Sequence, residues 1–329
     1  MSQQRSSFRS IAAVVPALMA VIGMGTAGAQ SWSPEKAVEI AVSSAPGGSN
    51  DRIARTLQRI IQEQKLVPVP VSVLNKPGGN QTISRVYINQ NPGDGHYMDI
   101  GNPTLIANTI AGRQQYTDFT PIALLVNEFS AFSVRADSPY RNAKDLVEQL
   151  KKDPDSIAIG VSNRGGTNHL AISLLAKAGG IDPRKLKVVV FKTNAEGITA
   201  LLGGHIQLVS SAVGTAIGRV RDGKTRILSV SSPERLGGDL AQVPTLREQG
   251  YDVSLSNWRA IIGPKGLSAA QVAYWENVLE KAVATEEWKS VLAKYFLDGH
   301  FLRGKEFGEY MKKEYGLTKA IMTELGLVK

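Results

Sequence analysis

The feature that most constrains the fold of this chain is a repeated order of short apolar strand, glycine-containing turn and helix. The instances are strand 38–43 with turn 46–51, strand 97–100 with turn 101–104, and strand 157–161 with turn 162–169. Apolar segments of this length, each followed by an amphipathic helix, predict a mostly parallel α/β sheet. Sheets of this kind bind ligands outside the carboxyl ends of their strands.

A second α/β unit is inserted into the first. A strand at 129–134 leaves the first unit, and a strand at 258–262 is expected to return to it. We therefore predict two lobes joined by two crossings of the chain. Lobe 1 comprises residues 30–131 plus 253–329, and lobe 2 comprises residues 132–252.

The N-terminal segment predicts a cleavable export signal. Arg5 and Arg9 precede an apolar run of about 15 residues, which is shorter than the roughly 20 that a spanning helix requires. Ala27-Gly28-Ala29 is a small-x-small cleavage site, so residues 1–29 are interpreted as a signal peptide and the mature chain as beginning near Gln30. The alternative is a membrane anchor; a lipid anchor is disfavoured because the chain contains no Cys.

Composition and motifs disfavour several classes of protein. Loss of residues 1–29 removes two positive charges and no negative ones, which lowers the net charge from +9 to +7 and favours anionic ligands. There is no basic run with interleaved aromatic residues, so nucleic acid is not expected as a partner. The sequence lacks a P-loop, a dinucleotide-binding glycine motif and a nucleophile elbow. The four His have no zinc-ligand spacing, so no metal, cofactor or catalytic residue is expected.

The three glycine-containing turns share one physical design. Glycine lets the backbone approach a ligand closely, and a helix N-terminus offers unpaired N–H groups and about half a positive charge. Together these features form an anion site without a Lys or Arg. The ordinary alternative is that they are merely turns of an α/β fold. The candidate ligand-binding residues in these turns are Pro46, Gly47, Gly48, Asn102, Thr104, Ser162, Asn163, Arg164, Gly165, Gly166, Thr167, Asn168 and His169.

Three of the charged or titratable candidates have open alternatives. His169 either contacts the ligand or makes a structural hydrogen bond at the start of its helix. Lys192 either reaches an anion in the cleft or is solvated. Arg164 either forks onto a second carboxylate, which Lys cannot do in the same geometry, or points into water.

An ordered set of motifs resembles the periplasmic substrate-binding subunits of tripartite tricarboxylate transporters, also called the Bug family. The matching segments are Ala45-Pro46-Gly47-Gly48, Asn75-Lys76-Pro77-Gly78-Gly79, Pro92-Gly93-Asp94-Gly95, Gly165 to Leu170, Leu201-Leu202-Gly203-Gly204-His205-Ile206, Gly223-Lys224 and Val243-Pro244-Thr245. They occur in the family order and extend over nearly the whole mature chain.

The resemblance implies a two-lobed α/β periplasmic binding protein of type II-like fold, with the ligand cleft between the lobes. It implies that one ligand carboxylate is held by backbone groups of the turn from Ser162 to His169, with Pro46 to Gly48 contributing partly through water. It also adds Ser211 and Ala212 to the candidate site. The chain lacks the acidic residue that some relatives have near these two positions, which disfavours an α-amino acid as the ligand.

The expected function is therefore capture of a small carboxylate in the periplasm: a dicarboxylate, a tricarboxylate or an aromatic acid. The expected partners are the membrane subunits of a tripartite transporter, and the receptor is expected to be a monomer. Two alternatives stay open. One is a receptor that reports to a signalling partner; the other is an enzyme on the same scaffold, which the lack of a specific nucleophile–base pair disfavours.

Overall fold

The computed structural model describes Met1 and residues 32–328. The predicted signal peptide, its cleavage site and Gln30 lie outside the described residues, Met1 excepted. The strands are β1 Val38–Val42, β2 Val71–Asn75, β3 Tyr97–Gly101, β4 Phe119–Asn127, β5 Ser130–Arg135, β6 Ile159–Val161, β7 Val188–Val190, β8 Leu208–Ala212, β9 Thr225–Val230, β10 Arg259–Pro264 and β11 Asp298–Arg303. The helices are α1 Ser49–Glu63, α2 Thr82–Asn89, α3 Thr104–Ile110, α4 Ala143–Lys152, α5 Thr167–Ala178, α6 Asn194–Leu202, α7 Val213–Arg221, α8 Ala269–Val283, α9 Glu286–Tyr295 and α10 Gly304–Glu324.

The strands form two sheets, each the centre of one lobe. The first has the order β11-β4-β10-β3-β1-β2 and the second the order β7-β6-β8-β5-β9. The predicted returning strand is confirmed, because β10 pairs with both β3 and β4 of the first sheet. The lobe boundaries at 131/132 and 252/253 stay a prediction.

Both sheets are mixed, so the prediction of mostly parallel sheets is wrong. β1 is parallel to β2 and β3, but β4, β10 and β11 are joined by antiparallel pairing. In the second sheet β6 is parallel to β7 and β8, whereas β5 is antiparallel to β8 and β9. Four of the strands with antiparallel pairing, β4, β5, β9 and β10, flank the two crossings, where the chain leaves one sheet and enters the other.

Helix α1 illustrates how the sequence fixes the first lobe. Ile53, Leu57, Ile60 and Ile61 are at most 2% exposed and belong to the core beneath the first sheet. Full burial of side chains of this kind stabilises by roughly 1.5–3 kcal/mol each. The N-cap is Gly48, and no side chain of the described residues caps the helix. The first N–H groups of α1 are thereby left open at the turn.

Local hydrogen bonds fix two further helix starts. Ser268 forms a capping box at the start of α8, since its hydroxyl accepts from Gln271 N–H while the Gln271 side chain accepts from Ser268 N–H. Helix α4 begins at Ala143, because Asn142 accepts a hydrogen bond from Asp145 N–H and acts as the N-cap.

Candidate functional site

A polar cleft of about 690 Å³ lies between the two lobes. Its walls include the turns before α1 and α5, the start of α6, and the segments that connect the two sheets. Of the predicted site residues, the lining includes Gly47, Gly48, Asn102, Thr104, Ser162, Asn163, Gly166, Thr167, Asn168 and Ala212.

The turns before α1 and α5 have the same construction, one in each lobe. In each, a glycine with left-handed backbone is followed by a second, extended glycine that serves as the N-cap. The left-handed residues are Gly47 (φ 81°) and Gly165 (φ 78°), and the N-caps are Gly48 and Gly166. Only glycine adopts the left-handed conformation at little cost. Neither helix has a side-chain cap.

The residue four positions after each left-handed glycine closes the turn. The Gly47 N–H donates to Asp51 Oδ2 at 2.8 Å, and the Gly165 N–H donates to His169 Nδ1 at 2.9 Å. Because His169 Nδ1 accepts this bond, the neutral ring carries its hydrogen on Nε2. Of the two alternatives for His169, a ligand contact or a structural hydrogen bond, the structure shows the hydrogen bond at the start of its helix.

The electrostatics of Asp51 and His169 follow from burial and neighbours. Burial lowers the pKa of His169 to about 4, and the positive charge of Arg164 adds to the effect. Burial alone would raise the pKa of Asp51, but hydrogen bonds from Gly47 N–H, Asn75 and Arg55 outweigh it and lower the pKa. At neutral pH the first turn thus contains a paired carboxylate and the second a neutral imidazole.

A buried or half-buried Asn anchors each helix start. Asn50 Nδ2 donates to Ser43 Oγ at the end of β1 at 3.1 Å. Asn168 Oδ1 accepts from Ser130 Oγ at 2.8 Å, and its Nδ2 donates to Asn194 Oδ1 at 3.2 Å. These bonds fix the direction in which each helix N-terminus faces the cleft.

The helix N-termini present donors that the protein leaves unused. Among the described residues, the backbone N–H groups of Ser49, Asn50 and Asp51 have no hydrogen-bond partner, and neither have those of residues 167–169. Each set lies at the positive end of a helix of at least 12 residues. A negatively charged acceptor would pair with the free N–H groups and would be favoured by the positive end of the helix. Each turn is therefore suited to hold a carboxylate oxygen.

The third predicted turn is built differently. Asn102 and Thr104 line the cleft, but Asn102 Oδ1 accepts from Thr104 N–H at 3.0 Å and from Arg85 Nη2 at 3.3 Å. The donor that was expected to face a ligand is therefore satisfied inside the protein. Asn102 Nδ2 also donates to Gln81, another lining residue, at 2.7 Å.

Six predicted site residues lie outside the cleft lining. They are Pro46, Arg164, Gly165, His169, Lys192 and Ser211. Arg164 and Gly165 instead line an adjoining cavity of about 260 Å³ that also contains Arg113. Lys192 is exposed, with its backbone N–H bonded to Glu196, and Ser211 is fully buried. Ligand contacts by these residues stay predictions.

The charged residues of the cleft, Arg52, Glu128 and Arg259, were not among the predicted site residues. One signal was available: Arg259 interrupts the apolar run Trp258 to Ile262, and a charge in a buried strand requires a partner. The partner, Glu128, is more than a hundred positions away and was not detectable by spacing.

Among residues 32–328, no cluster of three or more acidic or His side chains is arranged to hold a metal ion. No described helix combines the length and the apolar character needed to cross a membrane. The polar groups that the cleft presents are therefore backbone amides, amide side chains, hydroxyls and the three charged residues named above.

Comparison with known proteins gives one family. The family described as tripartite tricarboxylate transporter family receptor matches residues 53–327. A protein encoded in the gbd 5′ region of Cupriavidus necator is 26% identical over 332 residues, covering 99% of each chain. Protein BugT of Bordetella pertussis is 23% identical over 281 residues, covering 83% of this chain and 84% of that protein.

Solved structures agree on the fold. A solute-binding protein from Polaromonas, solved without ligand, superposes with a TM-score of 0.78 at 26% identity and covers 88% of this chain and 99% of its own. The periplasmic binding protein BugD gives a TM-score of 0.72 at 24% identity, with 90% and 99% covered. A Rhodopseudomonas palustris protein solved with adipate gives 0.74 at 22% identity, with 89% and 98% covered.

Proposed function

The chain belongs to the tripartite tricarboxylate transporter receptor family, and from this premise we propose that its mature form is a periplasmic receptor that captures a small carboxylate. In this proposal the loaded receptor docks on the membrane subunits of a tripartite transporter. The receptor acts by capture and release, with no chemical change of the ligand.

One observation carries the proposal: two helix N-termini of the same backbone construction line one cleft, each with three backbone N–H groups that have no partner in the part of the chain that the structure describes. Backbone donors cost no side-chain entropy to position, and the helix dipoles favour negative charge. The overall positive charge of the chain adds a weaker, long-range attraction for anions.

The size of the cleft supports a ligand of metabolite size. About 690 Å³ lies within the range of roughly 300–1,000 Å³ that is typical of small-molecule sites. Adipate, the ligand of one relative of the same fold, belongs to the proposed class of di- and tricarboxylates and aromatic acids.

The proposed mechanism is closure of the two lobes on the ligand. One free N–H set belongs to the first lobe and the other to the second, so a carboxylate bridges them best when the cleft is shut. The connecting segments between β4 and β5 and between β9 and β10 are the candidate hinges. We further propose that the mature receptor is a monomer exported by the N-terminal signal.

A thermal-shift screen over mono-, di- and tricarboxylates, aromatic acids and matched uncharged amides tests this function. At 100 times its dissociation constant a ligand adds roughly 2.7 kcal/mol of stability, so a true ligand raises the melting temperature by several degrees. Amides of the same shape are expected to have no effect. A screen in which no carboxylate raises the melting temperature would refute the function, and conversion of a bound carboxylate, detected by mass spectrometry, would indicate an enzyme.

A further inference from the structure

A charged pair lies where the chain passes between the two sheets. Asn127 ends β4 and Glu128 follows it at the first passage, and Ser256 and Asn257 precede β10 at the second. Ser256 Oγ donates to Asn127 Oδ1 at 2.6 Å, and Asn257 Nδ2 donates to Glu128 Oε2 at 3.0 Å. Arg259 Nη2 also donates to Glu128 Oε2, at 3.1 Å, so an ion pair joins the two passages.

The Arg259 guanidinium is held rigidly and is incompletely paired. Its side chain is 7% exposed, and Nη1 donates to the backbone oxygens of Asn257 and Trp258 at 2.6 and 2.9 Å. Nη2 uses one of its two hydrogens on Glu128, and Nε has no partner among the described residues. Nε lies below the surface, so the second hydrogen of Nη2 is the donor that gives this group capacity for another acceptor.

The net charge of the cleft lining favours an anion as the additional acceptor for the Arg259 guanidinium. Three lining residues are charged: Arg52, Glu128 and Arg259. Glu128 compensates one guanidinium, which leaves the lining with a net charge of +1. Arg52 is fixed by a 2.9 Å bond from Nη1 to Gly47 O and by its position 4.7 Å from the centre of the Tyr295 ring.

The charge of Arg52 acts on Arg259. Burial lowers the pKa of Arg259, the charge of Glu128 opposes this change, and the charge of Arg52 lowers the pKa further. Arg259 is paired with the one carboxylate of the lining and still lies in range of a second positive charge, which a second carboxylate would relieve.

We propose that Arg259, assisted by Arg52, binds a second anionic group of the ligand and so selects dicarboxylates over monocarboxylates. The inference rests on the proposed function, in which the first carboxylate occupies the free N–H groups before α1 and α5. Glu128 orients Arg259 in the unliganded receptor and limits the attraction to one net charge. Because the Glu128–Arg259 pair joins the two passages between the lobes, the second carboxylate binds directly at the hinge.

Matched ligands test the selectivity by calorimetry. At chain lengths of four, five and six carbons, the probes are succinate, glutarate and adipate, the monomethyl ester of each, and the ω-amino acid of equal length. The ester keeps size and one carboxylate but removes the second charge. We expect the best dicarboxylate to bind at least tenfold more tightly than its ester, and the ω-amino acid to bind more weakly still. Equal binding of acid and ester overturns the inference and leaves the proposed function standing.

Charge variants separate a binding role from a structural one. Arg259→Gln is expected to weaken dicarboxylate binding ten- to a hundredfold while changing ester binding less than threefold. Glu128→Gln, which raises the lining charge from +1 to +2, is expected to tighten dicarboxylate binding. A pair that only maintains the hinge would make both variants weaken all ligands alike, and this result overturns the inference.

One control variant and one substitute variant complete the experiment. Lys151→Gln removes an exposed positive charge of α4 and is expected to leave every dissociation constant unchanged. Arg52→Gln repeats the test if Arg259→Gln does not fold, and it is expected to reduce the preference for acid over ester. If no probe of the series binds, the inference is overturned, and the broader carboxylate screen decides the function separately.

Discussion

At the scale of single residues, the side chain four positions after the left-handed glycine of each turn determines how the site responds to pH. Asp51 and His169 occupy equivalent places and accept equivalent bonds from Gly47 and Gly165. A carboxylate accepts at any pH above its pKa, whereas an imidazole accepts only while neutral. The second-lobe turn is therefore the part of the site that acid disrupts.

His169 makes stability depend on pH in a defined window. Its pKa is about 4 in the folded protein, against about 6.5 in the unfolded chain. Between these values the unfolded state binds the extra proton, so stability falls as pH falls from 6.5 to 4. His169→Asn keeps an acceptor for the Gly165 N–H but does not titrate. Urea unfolding gives the free energy of unfolding at pH 7.5 and at pH 5. On going from pH 7.5 to pH 5, we expect this free energy to fall by about 1–2 kcal/mol less in the variant than in the parent. Equal losses would contradict the assignment.

At the scale of elements, the helix starts carry the site, and the conformation of one glycine holds the second start in place. Proline cannot adopt a φ of 78° and has no N–H for the His169 bond. Gly165→Pro is therefore expected to abolish carboxylate binding while most of the fold persists. Gly180→Pro is the matched control, because Gly180 also has a φ of 78° and donates one backbone bond, to Lys177 O, beyond the far end of α5.

The two proline variants are expected to have similar stability but different ligand affinity. Both should lose similar stability in thermal unfolding, since each gains the same backbone conflict and loses one hydrogen bond. Only Gly165→Pro should lose affinity in calorimetry. Normal binding by that variant would place the carboxylate elsewhere.

How far the sequence predicts such elements depends on the range of the interactions involved. The start of α5 at Gly166 and the capping box at Ser268 were predictable because all their partners lie within a few residues. β4 was missed: it contains Pro121, which disfavours a central strand, and the structure accommodates this residue beside an irregularity in the pairing with β10. The antiparallel pairing of β4 with β10 and the Glu128–Arg259 pair join positions more than a hundred residues apart, which no local pattern encodes.

At the scale of the whole molecule, the last helix connects the two lobes. Phe307 and Met311, near the start of α10, pack with the first-sheet residues, while Ile321 and Met322, near its end, pack in the core of the second lobe. Glu314 lies between these groups and lines the 260 Å³ cavity beside Arg113 and Arg164. Burial raises the pKa of Glu314 to about 7.

Glu314 gives stability a dependence on pH opposite in sign to that of His169. Between its ordinary pKa of 4.5 and about 7 the folded state retains the proton, so stability falls as pH rises through this window. Glu314→Gln removes the titration. We expect the variant to match the parent at pH 4 and to exceed it by about 1–3 kcal/mol at pH 8 in denaturant unfolding. A constant difference at both pH values would show that Glu314 does not titrate as described.

Backbone amide NMR can show whether a carboxylate bridges the helix starts of both lobes. A ¹⁵N-labelled receptor is titrated with the tightest carboxylate of the screen, and the N–H resonances of residues 49–51 and 167–169 are followed. We expect saturable shifts in both sets with one dissociation constant, and no comparable shift at Gly180. Saturable binding that leaves both sets of N–H resonances unmoved would contradict this expectation.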